Sequence, residues 1–173
     1  ILKAAKVFQN ASYLKLVKEH LLFMEKTFHK KEGGLYRLNK KEATPVNGFL
    51  EDYSHLIAYY LDAYEAFFDP SFLYKANELI HYCTKRFKTQ ETALFVFAEE
   101  EKLILQTKEV NDNVIPSSNA IMAENLIRAS IHLGQIDSHN HAKEMIALVA
   151  REMLDYPSAY STWLRLALNL QNP

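Results

Sequence analysis

Gly48-Phe49-Leu50-Glu51-Asp52-Tyr53-Ser54-His55-Leu56-Ile57-Ala58-Tyr59-Tyr60-Leu61-Asp62-Ala63-Tyr64-Glu65-Ala66-Phe67 reads as one long helix that is apolar on more than one side. Leu50, Tyr53, Ile57, Tyr60, Tyr64 and Phe67 recur at three- and four-residue spacings and make one stripe. Phe49, Leu56 and Tyr59 add apolar groups outside that stripe. A helix of this kind is buried. Its neighbours in sequence are different. Upstream, Leu14, Val17, Leu21, Met24 and Phe28 form a single stripe, the mark of a helix wet on one face. Downstream, Asp69-Pro70-Ser71 places an N-cap before a proline in the first turn. The helix it opens runs through Leu73, Ala76, Leu79, Ile80 and Cys83 to about Phe87.

The rest of the chain continues this rhythm. A short helix opens it at Ile1–Phe8. Another starts at Pro116-Ser117-Ser118 and carries Ile121, Met122, Leu126, Ile127, Ala129 and Leu133 up to Gly134, a C-terminal stop. Asp137 caps the next, with Ala142, Met145, Ile146, Val149 and Met153 on one helix, and the last begins near Pro157-Ser158 and holds Trp163, Leu164, Leu166, Ala167 and Leu170. Two segments, Gly33–Leu38 and Ala93–Ala98, are rich in strand formers and predict short extended arms or a small hairpin.

An internal repeat orders these pieces. Ser12-Tyr13-Leu14 returns as Ser71-Phe72-Leu73 at an offset of 59 (71 − 12), and the same offset carries Phe28 onto Phe87. Asp137-Ser138 opens a more diverged third copy. Buried and one-sided helices therefore alternate, as in stacked α-hairpins with inner and outer layers. Repeats of the tetratricopeptide kind have a period of about 34 residues and do not fit. The expected fold is all-α: stacked α-hairpins forming part of an α/α toroid or barrel, with short extended arms, in one domain over residues 1–173.

Composition narrows the function. Lys+Arg number 20 and Asp+Glu 21, for a net charge of −1, so no basic field is available for nucleic acid. No apolar run reaches the roughly 18 residues that span a bilayer, and no signal peptide is read at the start, so no membrane partner is expected. The helical opening without Met or cap reads as a cut inside a helix, hence as part of a longer protein. Cys83 is the single cysteine, which excludes an internal disulfide or a Cys-x-x-Cys pair and favours a reducing, cytoplasmic setting. The seven His show no metal-ligand spacing, and there is no Gly-rich phosphate loop or serine nucleophile elbow. Neither metal nor cofactor is expected.

Two polar segments sit where helices begin, and free N–H groups with the helix dipole bind ligands there. Glu51 and Asp52 open the buried helix. They could hold sugar hydroxyls or act as acid and base, although adjacent helical residues point about 100° apart and a facing carboxylate must come from elsewhere. Glycosidase carboxylates stand about 5–10 Å apart. Asp112 is the candidate partner, in the loop Asn111–Asn119 with Ser117, Ser118 and Asn119; Lys108 and Glu109 extend it. The competing reading makes Glu51 and Asp52 complements of a dipole, and Ser117 or Ser118 a cap. Tyr36, Arg37, Tyr53 and Trp163 offer stacking or planar cationic surfaces, against a plain packing role. His55, one turn beyond Glu51, is a candidate base or a hydrogen-bonded core residue.

Gly48-Phe49-Leu50-Glu51-Asp52-Tyr53, Leu61-Asp62-Ala63-Tyr64-Glu65-Ala66 with Leu73 and Ala76, Lys108-Glu109, Asp112, Ile115-Pro116-Ser117 with Asn119, and Pro157 carry a resemblance. The chain resembles, over residues 1–173, the C-terminal region of the spermatogenesis-associated thioredoxin-like proteins and their bacterial YyaL relatives. That resemblance implies an N-terminal thioredoxin-like domain elsewhere in the full-length chain, packed against this one. It also implies a helical region similar to the α/α barrels of six-hairpin glycosidases and N-acylglucosamine 2-epimerases. The family tends to have arginine where Gln106 stands and glycine where Ser118 stands. The resulting expectation is a carbohydrate-processing or carbohydrate-binding region with a sugar ligand. Glu51, Asp52 and Asp112 would be catalytic, and Tyr53, Lys108, Ser117, Asn119 and Trp163 would bind substrate. The alternative is a non-catalytic helical scaffold or protein-interaction module. As half a barrel, the isolated chain is expected to show no turnover, and its open apolar faces suggest a homodimer.

Overall fold

Asn10 and Asp69 open two helices in the same way, each side chain accepting from the N–H two residues on, Ser12 N and Ser71 N, both at 2.9 Å. Their places in the chain differ by the same repeat offset seen in the sequence. The computed structural model describes residues 1–31, 33–38, 44–99 and 107–171. Within them α1 spans Leu2–Phe8, α2 Ala11–Phe28, α3 Leu50–Phe67, α4 Pro70–Arg86, α5 Ser118–Leu133, α6 Ile136–Leu148, α7 Ala150–Asp155 and α8 Ser161–Gln171. A 3-10 turn, Pro157–Tyr160, leads into α8.

The alternation of buried and half-wet helices is real. In α3, Leu50, Tyr53, Ile57, Tyr60, Leu61 and Ala63 have no solvent exposure, whereas α2 buries only Val17 and Leu21. Helices α3 and α5 pack side by side as the inner layer; α4 lies on α3, and α6 lies on α5. Each fully buried Leu or Ile contributes about 1.5–3 kcal/mol by leaving water. The inner pair is also joined by polar groups. Asn125 Nδ2 in α5 donates to Ser54 O in α3 at 2.7 Å. Near the C-terminal ends Arg128 bridges from α5 to Asp62 and Glu65 of α3, both at 2.7 Å. Arg165 of α8 pairs with Glu124 of α5 through both terminal guanidinium nitrogens.

Three sequence expectations are adjusted. The helix predicted from Asp137 to Met153 is two, α6 and α7, because Val149 (φ −105, ψ 9) leaves the helix. Its N–H turns back to Ile146 O at 3.3 Å, a tighter bond than the α pattern, and a buried β-branched residue has little helical preference to oppose this. Gln135 occupies the N-cap of α6, and Asp137 sits in its first turn instead of capping it. The Gly33–Leu38 segment does yield a strand: β1, Tyr36–Leu38, pairs antiparallel with β2, Val46–Asn47, setting Tyr36 opposite Asn47 and Leu38 opposite Val46. Ala93–Ala98 forms no strand, only a single bridge between Lys88 and Phe95.

That irregular segment is nevertheless what ties the inner helices together at their starts. Phe97 O accepts the first N–H of α3, from Leu50, at 2.9 Å. Two residues earlier, the N–H and C=O of Phe95 are taken by the side chain of Asn119 at the start of α5. An Asn amide offers one donor face and one acceptor face, as a peptide group does. Asn119 thus serves the backbone of Phe95 as a neighbouring strand would.

Candidate functional site

Helix α3 begins without a side-chain oxygen at its N-cap, because Phe49 occupies that position. Asp52 supplies one half of a capping box, its Oδ2 accepting the Phe49 N–H at 2.9 Å; the reciprocal half needs a side-chain oxygen that phenylalanine lacks. Arg37 then reaches across from β1. Its Nη1 lies 2.5 Å from Glu51 Oε1 and 3.1 Å from Asp52 Oδ2, and its guanidinium lies over the Phe49 ring at 5.2 Å. The bond to Glu51 raises the guanidinium's pKa, against the opposing effect of burial. A single cation thus holds two neighbouring carboxylates side by side on the positive end of a helix.

This clamp opens onto a cleft of about 550 Å3 between α2, β1 and α3. Its walls include Phe28, Tyr36 and Tyr59, and His55 lies one turn below Glu51. His55 Nδ1 is 2.9 Å from the Glu51 carbonyl oxygen. A carbonyl only accepts, so that nitrogen carries the proton, and in the neutral ring Nε2 is the acceptor. Ile115, from the loop before α5, lines the same cleft. The two polar segments singled out in the sequence therefore share one end of the molecule.

They do not contribute alike. Asp112 spends both oxygens on backbone and hydroxyl groups: Oδ1 accepts Ser117 N–H at 3.0 Å, and Oδ2 accepts Thr162 N–H at 2.7 Å and Ser161 Oγ–H at 3.1 Å. It fastens the start of α5 to the start of α8 and is not among the cleft walls. Ser117 is the N-cap of α5, its Oγ accepting from Ala120 N at 3.2 Å. Ser118, where the resemblance has glycine, is buried and donates its N–H to Glu109 Oε2 at 3.0 Å. Gln106 lies outside the described residues. Asn119 is fully buried and adds a third bond, to Glu109 O at 2.9 Å. Lys108 is half-buried on the approach to α5. Trp163 has no exposure and donates its indole N–H to Val110 O at 2.8 Å, so its ring faces the core. Asp112→Ala is expected to cost about 2–3 kcal/mol, since three donors at two helix starts lose their acceptor. Urea unfolding at constant m-value would check this, and a cost under about 0.5 kcal/mol would refute the clamp.

Tyr53 is equally enclosed. Its hydroxyl accepts Leu35 N–H at 2.8 Å and donates to Glu99 Oε1 at 3.3 Å, while its ring stacks on Tyr82 at 5.3 Å. Burial drives its pKa far upward. Glu99, which sequence reasoning did not single out, also accepts from Tyr82 at 2.9 Å and from Arg86 Nε at 3.1 Å. Nothing in local periodicity marks it, because all three partners are brought by the fold. Among the described residues, no group of three or more His, Cys, Asp or Glu is placed to hold a metal ion.

No family model matches the chain. Over 167 residues it is 28% identical to spermatogenesis-associated protein 20 of Mus musculus, covering 92% of this chain and 21% of that protein. The same protein of Rattus norvegicus is 31% identical over 130 residues, 73% of this chain and 16% of the relative. This chain is a low-identity homologue of spermatogenesis-associated protein 20. It spans about a fifth of the length of those relatives. In structure it is similar to a GH76 α-mannanase of Bacteroides thetaiotaomicron, with a TM-score of 0.69 and 17% identity over 84% of this chain and 40% of that one. The stacked helices of this chain thus match part of an α/α barrel, at an identity that speaks for fold alone. No described helix is long and apolar enough to cross a membrane.

Proposed function

We propose that this chain is a carbohydrate-binding part of an α/α toroid, with the sugar seated in the Glu51–Asp52 cleft. One observation carries the reading: two carboxylates clamped by Arg37 at the start of an inner helix open onto a cleft of about 550 Å3 with aromatic walls. Ionised carboxylates accept strongly from hydroxyls. Tyr36, Tyr59 and Phe28 supply flat apolar surface to the ring faces between those hydroxyls. His55 Nε2 is placed to exchange protons within the same cleft. The α/α-barrel likeness supports this class of ligand without identifying a reaction.

Calorimetric titration of the chain with a panel of neutral mono- and oligosaccharides tests the reading. At least one member binds, and Glu51→Gln with Asp52→Asn weakens it about tenfold or more, since a hydrogen bond to a charged group is worth about 1.5–3 kcal/mol. A panel without a binder, or affinity untouched by the double substitution, overturns it.

A second reading has its own observation. Leu16, Leu22 and Phe23 are exposed on α2. Such a face suits a protein partner, and the thioredoxin-like domain implied by the resemblance is the proposed one.

A further inference from the structure

The β1 strand borders another cavity, of about 480 Å3, whose described lining has the reverse charge. Lys30, Lys85 and Arg86 face it together with Tyr36, Tyr82 and Glu99. Tyr36 also walls the Glu51–Asp52 cleft, so the two cavities adjoin across one side chain.

Two of the cations, Lys30 and Arg86, are positioned by contacts. Lys30 belongs to a tight turn in which its N–H donates to Gly34 O at 3.0 Å and its C=O accepts from Gly33 N–H at 3.2 Å. Its ammonium is held over the Tyr36 ring at 5.1 Å. Arg86 is fixed through Nε by Glu99, and that bond raises its pKa. Glu99 is in turn held by the hydroxyls of Tyr53 and Tyr82 and has a side chain only 9% exposed. Lys85 and Arg86 close the last turn of α4, where the negative end of the helix favours cations. Among the described residues, three cations therefore face one carboxylate that is already engaged, and two aromatic rings border them.

We propose that this cavity binds the anionic group, phosphate or carboxylate, of a ligand whose neutral part lies in the adjoining cleft. Two lysines and an arginine on a preformed frame recognise such a group by charge-assisted hydrogen bonds. The acidic cleft beside it takes hydroxyls and repels a second anion, which orients the ligand across Tyr36. The ligand class is then an acidic sugar, either a sugar phosphate or a uronate. The sugar half of this assignment rests on the function proposed above; the anion site does not.

Inorganic phosphate, glucuronate and glucose, titrated separately into the chain by calorimetry or NMR, test it. Phosphate or glucuronate is expected to bind, with affinity falling as salt is added. Lys30→Gln with Lys85→Gln is expected to weaken the anion about tenfold or more at an unchanged melting temperature. Glu51→Gln with Asp52→Asn is expected to leave phosphate binding intact. Phosphate favoured over glucuronate assigns a phosphorylated ligand, and the reverse a uronate. Failure of both anions to bind, or binding undiminished by the lysine substitutions, overturns the site. Anion binding without glucose binding, in contrast, sustains the anion site and counts against the sugar cleft.

Discussion

Asn119→Ala is expected to destabilise the fold by about 3–5 kcal/mol. The side chain is fully buried and makes three bonds, accepting from Phe95 N–H at 2.8 Å and donating to Phe95 O at 3.0 Å and Glu109 O at 2.9 Å. Alanine removes all three and leaves three backbone groups without their partner. An orphaned buried donor or acceptor costs about 1–3 kcal/mol, more than the bond itself contributes. Phe95 has no solvent exposure, so water does not replace the amide without displacing packed atoms. Asn119→Asp distinguishes this account from a simple loss of volume. Aspartate preserves size and one acceptor, yet it sets an anion against two carbonyl oxygens, and the destabilisation should equal or exceed that of alanine. Urea denaturation of both variants measures it. A cost below about 1 kcal/mol for Asn119→Ala would show that the Ala93–Ala98 segment holds its place by other means.

That residue also shows where sequence reading reaches and where it stops. Helical spacing made the enclosed α3 legible, because apolar groups on several faces leave no side for water. The Asp69 cap and the Gly134 stop were legible too, since capping is local: Asp69 accepts from Ser71 N, and Gly134 takes φ +68. Asn119 was visible as a polar residue at a helix start, but its bonds run 24 residues back to Phe95, and no local pattern encodes that. The same holds for Asp112, whose capping of α8 depends on Thr162, 50 residues away. Arg37 read as a planar cation, but its pairing with Glu51 and Asp52 needed β1 to fold against α3. Ala93–Ala98 read as an extended arm or part of a hairpin because its residues favour one, and among the described residues it keeps a single bridge, from Phe95 to Lys88. Composition and periodicity thus exposed the layers, while side chains that join layers came from the tertiary fold.

Gly34→Ala is expected to have the other large effect, about 2–4 kcal/mol, and to act on the candidate site as well. Gly34 has φ +87, in the region that L side chains avoid, and an L residue there carries strain of about 1–3 kcal/mol. Space adds to that cost. A Cβ at this position would lie 2.5 Å from the Tyr82 hydroxyl oxygen, 2.6 Å from Tyr82 Cζ and 2.9 Å from the Tyr53 hydroxyl oxygen. Neither ring yields easily. They stack on each other at 5.3 Å with 9° between planes, and both hydroxyls donate to Glu99. Moving them breaks the bond from Leu35 N–H to Tyr53 and shifts the strand that carries Tyr36 and Arg37. The variant should therefore lose sugar and anion binding beyond what its unfolded fraction explains. Gly33→Ala is the control: its φ is +89, but its Cβ would meet nothing nearer than the Tyr82 ring at 3.7 Å. It carries the conformational strain without the collision. Calorimetric melting of the two variants separates the terms, with Gly34→Ala the more damaging by about 1–2 kcal/mol. Equal losses would mean that the tyrosine pair moves aside freely and does not brace the wall between the two cavities.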